Sequence, residues 1–325
     1  MSTGSAGTES ILVLGMHRSG TSAVAGALSL LGATPPAKML PPASDNPSGF
    51  WEAESVLGVN DWILHEGGAA WYDCLGFDAN AFAVRTRAMA LTYIMLCMTS
   101  EFGSAPLKLI KDPRLCLLLD LWLPALSAVG TSPAVILVVR PPGEIVQSLE
   151  VREHLPFEIS TALWLRYVLD AEYATRTCRR HVLAYDDLLR DWRGALLSAG
   201  RGLAITWPVD LETVAPRMDR FVNTGLHHFT LAGWQTNTAT PFATWLEEAH
   251  AALLGLAHDG TDRQQLERLD RVRVAFRTWS RAYGGGWTET FLRGHRIRAT
   301  RRFETPPEWD SIAAAMPNAI TLPVA

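Results

Sequence analysis

The run ILVLGMHRSGTSAVAGALSLLG, residues 11–32, decides the fold. Residues 11–15 are apolar and read as a short strand of the kind buried in a parallel sheet. Thr21 to Leu31 reads as a helix, stopped by Gly32. Between them Gly15 and Gly20 bound a tight loop. Such a strand–loop–helix unit turns backbone N–H groups and a helix N-terminus toward an anion. The common triphosphate version, G-x-x-x-x-G-K-[ST], places a lysine after the second glycine. Here Gly15, Gly20 and Ser22 keep the spacing, but Thr21 occupies the lysine position. The basic residue is Arg18, inside the loop, and Ser19, Thr21 and Ser22 add hydroxyls.

Working outward, "ATPPAKMLPPASDNPSG" (33–49) is too rich in proline for regular structure, and reads as a long loop. A helix follows from near Trp51 to about His65, and another over 79–102. "LKLI" (107–110) is a second strand, closed by Lys111-Asp112-Pro113, with a helix from Leu115 to Val129. "PAVILVV" (133–139) is the clearest strand and ends at Arg140. Helices over 142–152 and 157–180 lead to a fourth strand, "HVLAY" (181–185). Asp186 is the expected cap of the next helix, which runs to about 198. Strands alternating with helices predict an α/β fold, a P-loop-type parallel sheet covered by helices on both faces. Arg18, Lys111, Arg140 and Tyr185 each follow a strand, where open α/β sheets bind ligands.

From about residue 240 the pattern becomes helical with exposed charge. Residues 1–10 read as a disordered leader, 11–235 as the α/β domain, and 236–325 as a mainly helical extension with a basic tail. The two extension helices are expected to pair with each other or with a second subunit, a route to a homodimer. Gly284-Gly285-Gly286 is expected to end them.

The chain has 325 residues, 48% hydrophobic and 19% charged, enough for a sizeable core. A net charge of −4 argues against broad nucleic-acid binding. None of the four cysteines forms a C-x-x-C pair, so neither a zinc site nor a disulfide framework is suggested, and reduced cytoplasmic thiols are expected. No stretch approaches a membrane span.

Several ordered motifs together resemble PAPS-dependent sulfotransferases, PAPS being 3′-phosphoadenosine-5′-phosphosulfate. "RSGTS" (18–22) resembles the family's 5′-phosphosulfate loop, with arginine in the basic slot as in carbohydrate and tyrosylprotein members. "RPPGEIVQS" supplies Arg140 and Ser148 at the spacing of the family's 3′-phosphate grip. For the two to share one phosphate, the helix after Arg140 must fold back over the strand end. "YDDLL" (185–189) resembles a segment whose tyrosine lies near the adenine. "DNPSGFWE" (45–52) with "KDPRLC" (111–116) is similar to a bacterial branch acting on sugars or other small hydroxyl acceptors. "RFVNTGLHHF" (220–229) is a weaker match to a late loop that closes on the 3′-phosphate. It contributes Arg220 and Gly225, with His227 and His228 as substitutes, and Arg152 is a further candidate four residues past Ser148.

The resemblance implies in-line sulfuryl transfer from PAPS to a small-molecule, sugar or lipid-linked hydroxyl, releasing PAP (3′-phosphoadenosine-5′-phosphate), with no metal. Ser19, Gly20, Thr21, Ser22, Arg140, Ser148 and Tyr185 would bind the donor. Arg18 would stabilise the bridging and equatorial oxygens, since its fork fits a tetrahedral oxyanion and stays charged. Lys111 would help bind the sulfuryl group. The proton acceptor is open between Glu52, beside the proline-rich loop, and His17, within the glycine loop. Asp45 and Glu66 are weaker candidates. Trp51, Trp62 and Trp71 could wall an acceptor pocket. A small-molecule kinase would need the missing lysine and a magnesium-binding acid. A non-catalytic nucleotide-binding module would tolerate loss of Arg18 or Lys111.

Overall fold

The computed structural model describes residues 8–43, 46, 49–222 and 242–293. Four strands form one wholly parallel sheet: β1 (Thr8–Leu14), β2 (Leu107–Lys111), β3 (Thr131–Val139) and β4 (Arg179–Ala184). Their order is β2-β1-β3-β4, with β1 and β3 at the centre. The chain leaves β1 for β2 on one side and later returns to build β3 on the other. Ligands collect at the carboxyl ends of strands around such a reversal.

Alternation along the central strands fixes the two faces. Leu12 and Leu14 of β1 and Val135, Leu137 and Val139 of β3 join one core. Ile11 and Val13 with Ala134, Ile136 and Val138 join the other. The second core is closed by α1 (Thr21–Leu30), α8 (Trp192–Leu203) and α9 (Leu211–Phe221). The first and larger core takes α2 (Glu54–Glu66), α3 (Val84–Phe102), α4 (Leu115–Ala128), α5 (Pro142–Glu153) and α6 (Phe157–Ala174). Its outer layer is α10 (Phe242–His258) and α11 (Arg263–Leu292). The short α7 (Tyr185–Arg190) continues directly from β4.

The α/β class and the coverage of both faces are as the sequence implies. Several boundaries differ, for local reasons. β1 begins at Thr8 inside the expected leader, because Glu9 N–H donates to the Pro106 carbonyl at 2.8 Å and Thr8–Ser10 pair with β3. The proline-rich loop is tied down by isolated bridges, Thr34 to Lys108 and Met39 to Ala53, and by the buried Glu101 carboxylate. That carboxylate accepts from Lys38 N–H at 2.9 Å and Ser55 Oγ at 2.6 Å. α2 starts at Glu54, not Trp51, and α3 at Val84, after a single 3₁₀ turn over Ala79–Ala81. The helix expected over 157–180 stops at Ala174, where the Thr175 hydroxyl turns back onto the Ala171 carbonyl at 2.7 Å.

Asp186 is not the expected cap: it lies in the first turn of α7, and Asp191 caps α8 by accepting from Gly194 N–H at 3.0 Å. Gly284–Gly286 does not end α11, which runs through it to Leu292. Packing overrides the glycine penalty there: Gly284 lies against Leu75, and Ser280 Oγ donates to the Leu75 carbonyl at 2.6 Å. α10 and α11 pair with each other and press on α6 and β4, so much of their apolar surface is covered within the chain. Gly225, His227, His228, Asp45 and the basic tail beyond Arg293 lie outside the described residues.

Candidate functional site

The carboxyl ends of β1, β2, β3 and β4 carry the loop 15–20, Lys111, Arg140 and Tyr185 onto one rim of the sheet. The loop is a compact turn closed by Ser19 N–H on the Met16 carbonyl at 3.1 Å. Below it the Gly15 N–H donates to Cys116 Sγ at 3.3 Å. Burial pushes that thiol up to about 12, so it stays protonated and can itself face the Gly15 carbonyl, 3.7 Å away. Gly20 has φ of 90°, and the Tyr185 ring leaves it no room for a side chain: a Cβ would stand 2.3 Å from Tyr185 Cδ2.

Arg18 has left-handed backbone, φ 70°, which costs a non-glycine residue about 1–2 kcal/mol. Two contacts hold it. Its carbonyl accepts from Arg140 Nη1 at 3.1 Å, and its Nε donates to Ser148 Oγ at 2.9 Å. Arg18 therefore links the glycine loop to both ends of the Arg140–Ser148 pair, and α5 does fold back over the end of β3. Arg140 is buried. Its Nε donates to Glu144 at 2.7 Å and its guanidinium lies over the Tyr185 ring, 5.2 Å from the centroid. Its Nη2 has no hydrogen-bond partner among the described residues, and neither has the buried Ser19 Oγ. Unpaired buried donors are costly, and two at one rim mark a place that an anion would complete.

Across the loop a second charged group forms. Lys111 is 4% exposed, so it is not a strand-end surface lysine. Its Nζ makes a short ion pair with buried Glu52 and donates to Ser22 Oγ at 3.3 Å. The Ser22 hydroxyl in turn donates to the Phe50 carbonyl at 3.3 Å, which pins the proline-rich loop onto α1. Glu52 precedes α2 rather than opening it, and reaches Lys111 instead of the helix end. Burial raises its pKa above the usual carboxylate value, against the opposing pull of Lys111. His17 moves the other way. Its Nε2 is shut from solvent, its ring sits 4.5 Å from Trp71, and burial lowers its pKa well below the ordinary imidazole value. The charges of Arg114, Lys111, Arg152 and Arg18 push it further down.

Three parts of this arrangement escape the sequence reading. Arg114 bonds Asp61 at 2.5 Å and Asp112 at 3.2 Å, and Asp112 also accepts from Asn60 at 3.2 Å, so "KDPR" braces Lys111 from behind. Cys116 meets Gly15 of the loop and Glu144 meets Arg140, but from sequence they are an apolar residue and an acid within helices. Of the other expected residues, Arg152 sits over the Phe50 ring, 5.8 Å from its centroid. Thr21 is buried as the first residue of α1. Arg220 is exposed in the last turn of α9. Glu66 is exposed at the far end of α2. Trp62 and Trp71 belong to the core, and Trp51 stays half-buried beside Phe221.

Among the described residues no group of three or more His, Cys, Asp or Glu side chains is placed to hold a metal ion. None of their helices is long and apolar enough to cross a membrane. A separate cleft of about 440 Å³ lies between β4, α7, α8 and α10, lined by His181, Asp187, Arg190 and His258, and includes none of the rim residues above.

Neither a protein-family model nor a curated protein matches the chain. Two solved structures similar to it are sulfotransferase domains. One is from the olefin synthase of Synechococcus PCC 7002, at 15% identity and a TM-score of 0.46, covering 75% of this chain and 95% of that one. The other is from the curacin biosynthetic pathway, at 15% identity and a TM-score of 0.36, covering 64% and 77%. The likeness is one of fold.

Proposed function

We propose that the protein is a sulfotransferase that moves a sulfuryl group from PAPS to a hydroxyl of a small-molecule, sugar or lipid-linked acceptor, releasing PAP. The observation that carries this reading is the convergence of Arg18, Arg140 and Ser148 on one rim, with buried donors on Ser19 and Arg140 left open. Two cationic centres, the Arg140 side and the Lys111 side, flank the glycine loop, which suits a ligand with anionic groups at both ends.

In this reading the donor residues are Arg18, Ser19, Gly20, Thr21, Ser22, Arg140, Ser148, Arg152, Tyr185, Arg220 and Gly225. The acceptor oxygen attacks sulfur, the bond from sulfur to the 5′-phosphate oxygen breaks, and the acceptor proton leaves to a base. Arg18 and Lys111 stabilise the negative charge on the transferring group and the leaving oxygen. Glu52 takes the proton. Its raised pKa makes it a stronger base than an ordinary carboxylate, and Lys111 beside it links proton removal to charge stabilisation. His17, the second candidate, is weakened as a base by its lowered pKa.

A ligand that binds only the native state at 100 times its Kd stabilises it by about 2.7 kcal/mol. PAP is therefore expected to raise the melting temperature by several degrees, and ATP with magnesium much less. Equal shifts would favour a P-loop kinase, and no shift with either would overturn the donor reading.

A further inference from the structure

We propose that Glu144 is a positioning residue for recognition of the donor's 3′-phosphate, acting through Arg140; this rests on the sulfotransferase reading above. Arg140 has five N–H donors in a rigid fork. Glu144 takes Nε at 2.7 Å, the Arg18 carbonyl takes Nη1 at 3.1 Å, and the Tyr185 ring covers one face of the plane. Gly20 backs that ring and allows it no retreat. Of the three guanidinium nitrogens, Nη2 is the one buried without a partner among the described residues. The guanidinium is thus held with one edge presented.

A carboxylate beside an anion site is electrostatically unfavourable, so charge alone does not account for Glu144. Both side chains of the pair are almost wholly buried, 7% and 4% exposed, where an unpaired carboxylate would be costlier still. The acid is useful there as an acceptor that reaches Nε from the first turn of α5. Its chain position makes the geometry natural. Arg140 ends the run out of β3, Pro141 and Pro142 turn the backbone into the helix, and Glu144 comes back over the arginine with the same helix that carries Ser148. Glu144 and Ser148 are one turn apart, so the acid that orients Arg140 and the hydroxyl that completes the grip share a helix face.

Contact and charge separate by substitution. Glu144→Gln keeps an acceptor oxygen at the same reach and removes the charge. Glu144→Asp keeps the charge but falls one methylene short. Glu144→Ala removes both. Affinities for PAP and for adenosine 5′-monophosphate, which lacks the 3′-phosphate, are measured by titration calorimetry with each purified full-length variant, alongside melting curves. Wild type is expected to prefer PAP strongly. Glu144→Asp and Glu144→Ala are expected to narrow the preference by about tenfold, through weaker PAP binding with monophosphate binding unchanged, on the scale of one charged hydrogen bond. Glu144→Gln is expected to stay within about threefold of wild type. A carboxylate serving only the helix dipole or the fold would lower melting temperatures and leave the ratio alone. If the alanine variant does not fold, the aspartate and glutamine variants decide between themselves. A wild-type ratio in Glu144→Asp, or a fall in Glu144→Gln equal to that in Glu144→Asp, overturns the assignment. A wild type that binds the monophosphate as well as PAP overturns the donor reading itself, and this assignment with it.

Discussion

Replacing Lys111 with methionine keeps most of its volume and removes its ammonium. Glu52 then loses its nearest counter-charge while staying buried behind the proline-rich loop. Stranding one member of a buried ion pair costs about 3–5 kcal/mol. In a chain this long each kcal/mol shifts the midpoint by about 2 °C, so Lys111→Met is expected to melt about 6–10 °C lower near pH 8. The penalty depends on ionisation. Burial already raises the Glu52 pKa in the wild type, and the lowering pull of Lys111 disappears in the variant, leaving Arg114 alone to oppose burial and Asp112. A carboxylate whose folded pKa lies above its unfolded value is not penalised below the unfolded value, near 4.5. The stability it carries is lost as pH rises through the folded value. The difference between variant and wild type should therefore be small at pH 5 and large at pH 8. Adding Glu52→Gln to Lys111→Met removes the stranded charge and should restore most of the loss at pH 8. Calorimetry of the wild type, both single variants and the double variant at the two pH values reads this out. An equal melting shift at pH 5 and pH 8, or a double variant no more stable than Lys111→Met, would refute the electrostatic account and leave lost packing as the cause.

Two further outcomes follow from the rim geometry. Glu52→Gln should slow transfer to an aliphatic alcohol by about 10²–10⁴-fold and to a phenol much less, because general-base help matters most where the proton is hardest to remove; near-wild-type turnover with the alcohol would remove Glu52 as the base. Gly20→Ala should cost about 1–2 kcal/mol in backbone strain alone and should weaken PAP binding as well, because its Cβ would displace the Tyr185 ring from beneath Arg140; unchanged PAP affinity in the folded variant would show that the ring does not support the arginine.

The sheet was legible because β1 and β3 carry uninterrupted apolar runs, β2 and β4 carry shorter ones, and the glycine spacing marks the turn out of β1. Lys111 and Arg140 could be placed on the rim because they end strands of a parallel sheet, whereas Arg18 was read from the glycine loop and Ser148 from the resemblance alone. What the sequence hides is partnership. Arg140 is read with Ser148, and its bond to Glu144 is visible only once α5 folds back. Glu52 is read as a candidate proton acceptor, but not as the partner of Lys111, which lies 59 positions away in sequence. Cys116 is one apolar residue among several in "LCLLLDLW", and only the approach of Gly15 gives its thiol a role. Local signals also misjudged three helix ends, since Gly284–Gly286, Ala174 and Asp186 are decided by packing and by side-chain bonds several residues distant.

The outer helices carry a consequence for anyone dividing this chain. Phe242, Leu246, Leu253 and Phe276 are among the least accessible side chains of the larger core, and they meet residues of α6 there. Asp170 of α6, half the cement of that seam, is bonded to Arg166 at 3.0 Å on its own helix and faces Arg273 at 3.7 Å and Arg277 at 3.4 Å on α11. The described rim residues all precede residue 223, yet a fragment ending there would bare an apolar wall and leave Asp170 with Arg166 as its remaining partner of the three. The first two thirds of the chain carry the described rim, and α10 and α11 are the back of the vessel.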